Sequence, residues 1–355
     1  MLDELRFLKY FLRIRAEHPI YLLFFITSRC MGRCRHCFYW RSLNQKENAL
    51  SLEEIEKVSK NMGRLLQLTI TGGEPLLRED LAEIFQIFYQ HNQPFNFGLA
   101  TSGYYPERLE KVMKEVLSSC PESNFTAGLP VEGLKELNDY IRGVPGAFEK
   151  TQESFKLLKE LKRHYSQLTI LVDITASGFN QDHLKETYEM LRDDWKPDII
   201  NLIITRGEPR EEDAREISPK KIREIISLME SDIRSGKIPG YGFNSRVLHG
   251  KDILVRRLAL EIFEGKSPRL KCRAGDLIGV IYPEGQVYPC ELWSEMIGNL
   301  RKFDYDIKRL WGSEKAGLMR KAIVERNCQC YHQCFLSPSI FFDQGYLVKM
   351  LKGMF

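Results

Sequence analysis

The stretch YLLFFITSRCMGRCRHCFYW, Tyr21 to Trp40, joins a short apolar run to three cysteines, Cys30, Cys34 and Cys37, in a C-x3-C-x2-C spacing. The run from Tyr21 to Ile26 has the length of a strand and stops at Thr27, so the cysteines leave the carboxyl end of a strand. Thiolate is a soft ligand that selects iron–sulfur clusters, zinc or cuprous ion. Closed structural sites of zinc or a [4Fe-4S] cube take four protein ligands. Three thiols therefore suggest an iron that still accepts an exogenous group. Two plainer readings of the spacing stand beside it: a zinc knuckle with His36 as its fourth ligand, or three unrelated thiols.

Outward from this stretch the chain repeats one pattern. Ser51-Leu-Glu-Glu54 is a capping box that opens a helix to about Met62, and the strand Leu68–Thr71 then ends at Gly72, Gly73, Glu74 and Pro75. A helix from about Asp80 to Gln90 leads to a strand over Asn96–Thr101, which ends in Ser102 and Gly103. Pro106 opens the next helix, and a fourth strand follows at Asn124–Leu129. After a helical patch near Leu134–Tyr140, a long helix over Phe148–Tyr165 precedes the strand Leu168–Thr175. The helix His183–Leu191, the strand Ile199–Thr205 and a helix from Pro219 to about Ile233 close the series.

Six near-continuous apolar strands alternating with amphipathic helices predict an α/β fold with a parallel sheet, wound by right-handed crossovers into an open or closed barrel. Ligands sit at the carboxyl ends of such strands. Those ends carry the cysteine triplet, Gly72–Pro75, Thr101–Gly103, Ser177 to Asn180, and Arg206 with Gly207.

Composition narrows the class. The net charge of +4, from 52 basic and 48 acidic residues in 355, forms no cluster that would argue for nucleic acid. No apolar run reaches the ~18 residues of a membrane span. The start lacks the pattern of a secretory signal, with acidic residues and Arg interrupting its apolar positions. Residues 1–20 read as an amphipathic helix with Leu5, Leu8, Phe11 and Leu12 on one face; it caps the fold or, in a second reading, touches lipid or a partner peripherally. Nine cysteines in a chain of this size without a signal point to metal chemistry in a cytoplasmic setting rather than a disulfide framework. Eight fall into two groups; Cys120 stands apart as a buried, inert thiol. Residues 235–270 form a glycine-marked linker with a helical patch at Ile253–Phe263. From 271 to 355 the chain forms a small cysteine-rich extension of β-hairpin and helix, with the hairpin signal at Pro283-Glu284-Gly285 between strands at Leu277–Tyr282 and Gln286–Tyr288.

With the triplet after the first strand and Gly-Gly-Glu-Pro after the second, residues 21–234 resemble the core domain of the radical S-adenosylmethionine (radical SAM) superfamily. The resemblance implies a partial (β/α)6 barrel resembling a TIM barrel. It implies that Cys30, Cys34 and Cys37 hold a [4Fe-4S] cluster whose fourth iron chelates S-adenosylmethionine, and that reductive cleavage yields a 5′-deoxyadenosyl radical that takes a substrate hydrogen. On the same footing Gly72, Gly73, Glu74 and Pro75 face the methionine ammonium, Thr101 and Ser102 the ribose, Ser177 and Asn180 the ribose and carboxylate, and Arg206 the carboxylate, while His36 stacks on adenine. Serine, asparagine and glycine are also ordinary turn residues at such loop ends. The fourth strand departs from the family's Ser-Leu-Asp-Gly ending: it reads Gly128-Leu-Pro-Val-Glu132-Gly133, without the usual hydroxyl and carboxylate.

The later cysteines resemble the SPASM extension of these enzymes, and more nearly its shorter twitch form. Five cysteines, Cys272, Cys290, Cys328, Cys330 and Cys334, suffice for one thiolate-ligated auxiliary [4Fe-4S] cluster. The resemblance makes Cys272, Cys290 and Cys334 ligands, with Cys328 or Cys330 as the fourth; a zinc ribbon is the structural alternative. An auxiliary cluster implies a net oxidation, a dehydrogenation of a small-molecule, sugar or lipid-linked substrate, fed by a flavodoxin- or ferredoxin-type reductant. Peptide crosslinking or thioether formation is the second expectation, and a metal-bound interaction protein that never cleaves the cofactor is the third.

Overall fold

The computed structural model describes residues 17–240 and 245–351. The amphipathic pattern at the start of the chain lies almost wholly outside the described residues. Six strands alternate with helices: β1 (Tyr21–Phe25), α1 (Leu52–Lys60), β2 (Gln67–Thr71), α2 (Leu81–Asn92), β3 (Asn96–Ala100), α3 (Pro106–Ser119) and β4 (Asn124–Pro130). Then come α4 (Lys135–Arg142), α5 (Ala147–His164), β5 (Leu168–Ala176), α6 (Leu184–Met190), β6 (Ile199–Ile204) and α7 (Pro219–Arg234). The later part adds α8 (Ser245–Phe263), β7 (Ile278–Ile281), β8 (Gln286–Tyr288), β9 (Gly298–Asn299), α9 (Ile307–Trp311), α10 (Glu314–Glu325), α11 (Gln333–Phe341) and α12 (Gln344–Leu351).

The strand order is β6-β5-β4-β3-β2-β1-β7-β8-β9 in one sheet. All neighbours from β6 to β1 are parallel, giving the partial (β/α)6 barrel expected from the alternation. The outward residues of each strand, such as Phe97, Leu99, Phe125, Ala127, Ile170 and Val172, are buried in one core with the inward faces of the helices. Burying each such side chain is worth about 1.5–3 kcal/mol, which fixes the strand register because a slip of one residue would turn that set away from the helices. The other face keeps its accessibility: β5 alternates buried and half-buried along its whole length. No helix among the described residues is long and apolar enough to cross a membrane.

The cysteine-rich segment is part of this sheet. β7 pairs in parallel with β1, from Tyr21 opposite Ile278 to Phe24 opposite Ile281, and β8 and β9 continue antiparallel. The hairpin pattern was legible in sequence; its partner strand was not, because a four-residue apolar strand carries no address. The helices α9 to α12 follow the hairpin, so that hairpin and helices together form the expected extension.

A second tie reaches back across the chain. The capping box of α1 forms as expected, with Ser51 and Glu54 bonded reciprocally. Glu54 also receives Arg301 through two bonds, 2.6 Å and 2.8 Å, and the Tyr305 hydroxyl at 2.8 Å. The Arg301 bonds are the main reason its carboxyl is held down at about 2. Arg301→Gln is expected to cost about 1 kcal/mol in urea unfolding at pH 7, allowing for solvent screening. A depressed carboxyl pKa contributes stability above the unfolded value, about 4.3, and loses it as pH falls towards the folded one. The gap between wild type and variant should therefore close between those two values; a gap that stays constant to pH 2 sinks the assignment.

Candidate active site

The loop after β1 is held from three sides. Asn44 brackets Cys30, its Oδ1 accepting the Cys30 N–H at 2.9 Å and its Nδ2 donating to the Cys30 carbonyl at 2.8 Å. Glu47 accepts from the Thr27 hydroxyl at 2.7 Å and the Ser28 N–H at 2.6 Å. The N–H groups of Arg33 and Arg35 donate to the carbonyls of Arg142 and Ile141 at the end of α4. A side chain on Gly32 would touch the sulfurs of both Cys30 and Cys34, at 3.4 Å and 3.5 Å. The two sulfurs thus converge around a residue with no side chain. Burial pushes all three thiols up, Cys30 to about 11 and Cys37 to about 12. Neutral thiols in such a place become thiolates when a metal supplies the opposing charge. The donor set fits a three-thiolate iron–sulfur cluster, and His36 faces Glu132 rather than the sulfurs, with Nε2 3.5 Å from Oε1.

The turn after β2 is pressed against that loop. Gly73 N–H donates to Thr27 O and Glu74 N–H to Arg29 O, both at 2.7 Å. The Glu74 carboxylate is fully buried. It accepts from the Thr101 hydroxyl at 2.6 Å, from the Ser102 N–H at 2.7 Å, from the Leu76 N–H at 3.0 Å, and from the Ser102 hydroxyl. Gly72–Pro75, Thr101 and Ser102 are therefore brought together, with the two hydroxyls turned onto Glu74.

Across the mouth, Glu132 replaces what the fourth strand lacked in sequence. It is fully buried, two residues past β4. Its Oε2 accepts the Thr175 N–H at 2.7 Å and its Oε1 lies 3.3 Å from Arg142 Nη1. Burial lifts its carboxyl to about 7 despite the Arg142 charge. Arg142 also donates to the Tyr104 hydroxyl at 2.8 Å. Burial, then Arg142 and Arg206, lower His36 to about 3, so its ring is neutral. Ser177 and Asn180 are both buried: Asn180 Oδ1 accepts from Ser177, and its Nδ2 donates to the carbonyls of Glu132 and Thr175. This pair closes the end of β5 onto the Glu132 loop. Neither Glu132 nor Arg142 had been singled out. For Glu132 the signal was present in the departure of the fourth-strand ending, Gly128-Leu-Pro-Val-Glu132-Gly133; for Arg142 no departure marked it.

Arg206 crosses towards the later cysteines. Its guanidinium lies 4.6 Å over the Phe38 ring and donates to Glu291 at 3.2 Å; Glu291 in turn bonds His332. Cys272, Cys290 and Cys328 pack against one apolar cluster, which also takes in Phe25, Tyr39, Tyr282 and Tyr288. Cys330 is an electrostatic neighbour of Cys272, Cys290 and Cys328. Cys334 differs: its strongest charged neighbours are Glu291, Arg206 and Asp173. The rings of Phe25, Tyr39, Tyr282 and Tyr288 touch in series, with centroids 4.7–5.7 Å apart, between the two cysteine groups. Cys120 is buried beside Ser119, away from both.

Residues 24–191 match the radical SAM superfamily model. Fe-coproporphyrin III synthase of Methanosarcina barkeri is 24% identical over 331 residues, 87% of this chain and 79% of that protein. The cysteine-type anaerobic sulfatase-maturating enzyme of Clostridium novyi is 23% identical over 294 residues, 75% and 72% of the two chains. Native anSMEcpe with bound AdoMet and Cp18Cys peptide superposes with a TM-score of 0.62 at 19% identity, covering 95% of this chain and all of that one, which shows a shared fold. With the family match on the barrel that carries the cysteine loop, and enzymes as relatives over most of its length, the chain carries a radical SAM domain and is an enzyme.

Proposed function

We propose that the chain carries out a net two-electron oxidation, a dehydrogenation of a small-molecule, sugar or lipid-linked substrate, and that it uses two iron–sulfur clusters. The observation that carries this reading is that the first cysteine group follows β1 while Cys272 and Cys290 flank the β7–β8 hairpin paired with that strand, with aromatic rings packed between them. When bound, the first cluster with S-adenosylmethionine supplies a 5′-deoxyadenosyl radical, and the second supplies an electron acceptor. In this reading Cys30, Cys34 and Cys37 hold the first. Gly73 offers its carbonyl to the methionine ammonium, glycine allowing the close approach. Glu74 fixes Thr101 and Ser102 beside the ribose, Ser177 and Asn180 hold the β5 end in shape, and neutral His36 lies against adenine. Arg206, Phe38 and the tyrosines keep water from the space between the centres. A flavodoxin or ferredoxin delivers the electron.

For the second cluster we assign Cys272, Cys290, Cys328 and Cys330, with Cys334 outside the set. Anaerobically reconstituted protein should be brown, bind about eight irons as expected of two cubes, and release 5′-deoxyadenosine under dithionite. Cys328→Ala and Cys330→Ala should each lower the iron towards about four, whereas Cys334→Ala should leave it near eight; the reverse pattern overturns the assignment. Colourless, zinc-loaded protein without cleavage sinks the enzyme chemistry itself.

A peptide substrate is the second reading, favoured by the full-length superposition on a peptide-bound structure. Deuterium transfer into 5′-deoxyadenosine from a labelled candidate separates the two.

A further inference from the structure

The inward face of the barrel is not uniformly filled. Ala100 is exposed although β3 is flanked on both sides by strands. Its neighbour in register on β4 is Gly128, and Gly128 in turn is opposite Leu171 on β5. A methyl group and a hydrogen thus form a floor at this level, which accounts for the exposure. One turn of the pleat higher on β5 stands Asp173, paired with Pro130 on one side and Asn201 on the other. Its Oδ1 accepts from Asn201 Nδ2 at 2.9 Å. Its Oδ2 points down onto the floor: a Cβ added to Gly128 would lie 3.5 Å from it.

The charge balance around Asp173 is incomplete. No ion pair to it forms among the described residues. The nearby Arg206 is already paired with Glu291 at 3.2 Å. Burial lifts the Asp173 carboxyl to about 6, the direction of a carboxylate short of a partner. Asp173 is half-buried, and a carboxylate partly withdrawn from water gains from each hydrogen-bond donor brought to it. Here one oxygen is satisfied by a neutral amide, while the other faces accessible space at the carboxyl-end half of the strands, where a substrate of this barrel sits.

We propose that Asp173 anchors the substrate by accepting a hydrogen bond from a substrate ammonium group, seated on the floor of Ala100 and Gly128, with Asn201 holding the carboxylate in place. The assignment rests on the radical enzyme reading and adds the substrate's chemical class: an amine protonated at neutral pH. Such a group belongs to an amino sugar or other small amine, or to a lysine side chain of a peptide. Both bring the same cation to the same oxygen, so the probe set includes one of each.

The test uses full-length, reconstituted protein loaded with S-adenosylmethionine. Calorimetric binding of glucosamine is compared with that of glucose, and of glycyl-lysyl-glycine with its acetyl-lysine counterpart. At least one cationic probe should bind about tenfold or more tightly than its neutral partner, the scale of a hydrogen bond to a charged group, and Asp173→Asn should remove the difference. Whichever pair discriminates identifies the small-amine or peptide source. Gly128→Ala, whose Cβ meets nothing closer than 3.5 Å in the folded protein, should weaken the cationic probe by filling its seat, and it carries the test if Asp173→Asn does not fold. Equal binding within both pairs, no binding of either cation at millimolar concentration, or discrimination that survives Asp173→Asn overturns the anchor. So does an Asp173→Asn protein that loses S-adenosylmethionine affinity instead, since the carboxylate then serves the cofactor. Dithionite-driven cleavage of S-adenosylmethionine by wild type without any probe reports on the underlying reading separately.

Discussion

Gly73→Ala should abolish 5′-deoxyadenosine formation as fully as Cys34→Ala, a fall of at least about a hundredfold, the scale set by ångström misplacement of reacting groups. A Cβ on Gly73 would lie 2.2 Å from Arg29 O, 2.7 Å from Arg29 C and 2.8 Å from Ser28 O. All three are backbone atoms, so no rotamer relieves the overlap. The turn and the cysteine loop must part, breaking the 2.7 Å bonds from Gly73 N–H to Thr27 O and from Glu74 N–H to Arg29 O. Arg29 immediately precedes Cys30, so the displacement falls on the first ligand. Gly72 cannot absorb the shift, because its φ of +147° and the 2.4 Å approach of its own would-be Cβ to Thr27 O already demand glycine. The measurement is iron content and 5′-deoxyadenosine yield after anaerobic reconstitution, beside a far-ultraviolet spectrum showing a folded barrel. Near-normal iron and turnover would mean that the loop and the turn are not rigidly coupled.

That coupling also shows where sequence reasoning stopped. The barrel was legible because its strands are apolar runs bounded by turn residues, and the helices between them carry a 3.6-residue period. The cysteine triplet and Gly72–Pro75 were legible because spacing and position at strand ends limit what such residues can do. The supports were not. Asn44 and Glu47 hold the loop through two side-chain hydrogen bonds each, and an Asn or Glu in a polar stretch has no pattern to mark it. Asp173 lies within an apolar strand, where the alternation of β5 identifies it as inward-facing but not as the residue beside a glycine two strand positions away. The grouping of the later cysteines turns on α11, which carries Cys334 among Glu291, Arg206 and Asp173. Spacing alone cannot report which side of a short helix meets a neighbour.

Glu132→Ala should destabilise the protein by about 3–5 kcal/mol, the cost of leaving a buried charge without its partner. Arg142 is buried behind the cysteine loop, and besides Glu132 it has the neutral hydroxyl of Tyr104. Truncation would strand that cation and also free the Thr175 N–H at the end of β5, since Glu132 Oε2 accepts it. Glu132→Gln should cost less, because the amide oxygen still accepts from Thr175 while the ion pair alone is lost. The order wild type, then Gln, then Ala in urea midpoint at pH 7 is the expected result. An Ala variant within 1 kcal/mol of wild type, a small surface-like effect, would show that Tyr104 and water suffice for Arg142. The consequence reaches the cofactor mouth, because the carbonyls of Arg142 and Ile141 are the acceptors for Arg33 and Arg35, the residues flanking Cys34. Glu132 thus keeps the end of α4, and through it the second cysteine of the triplet, in position.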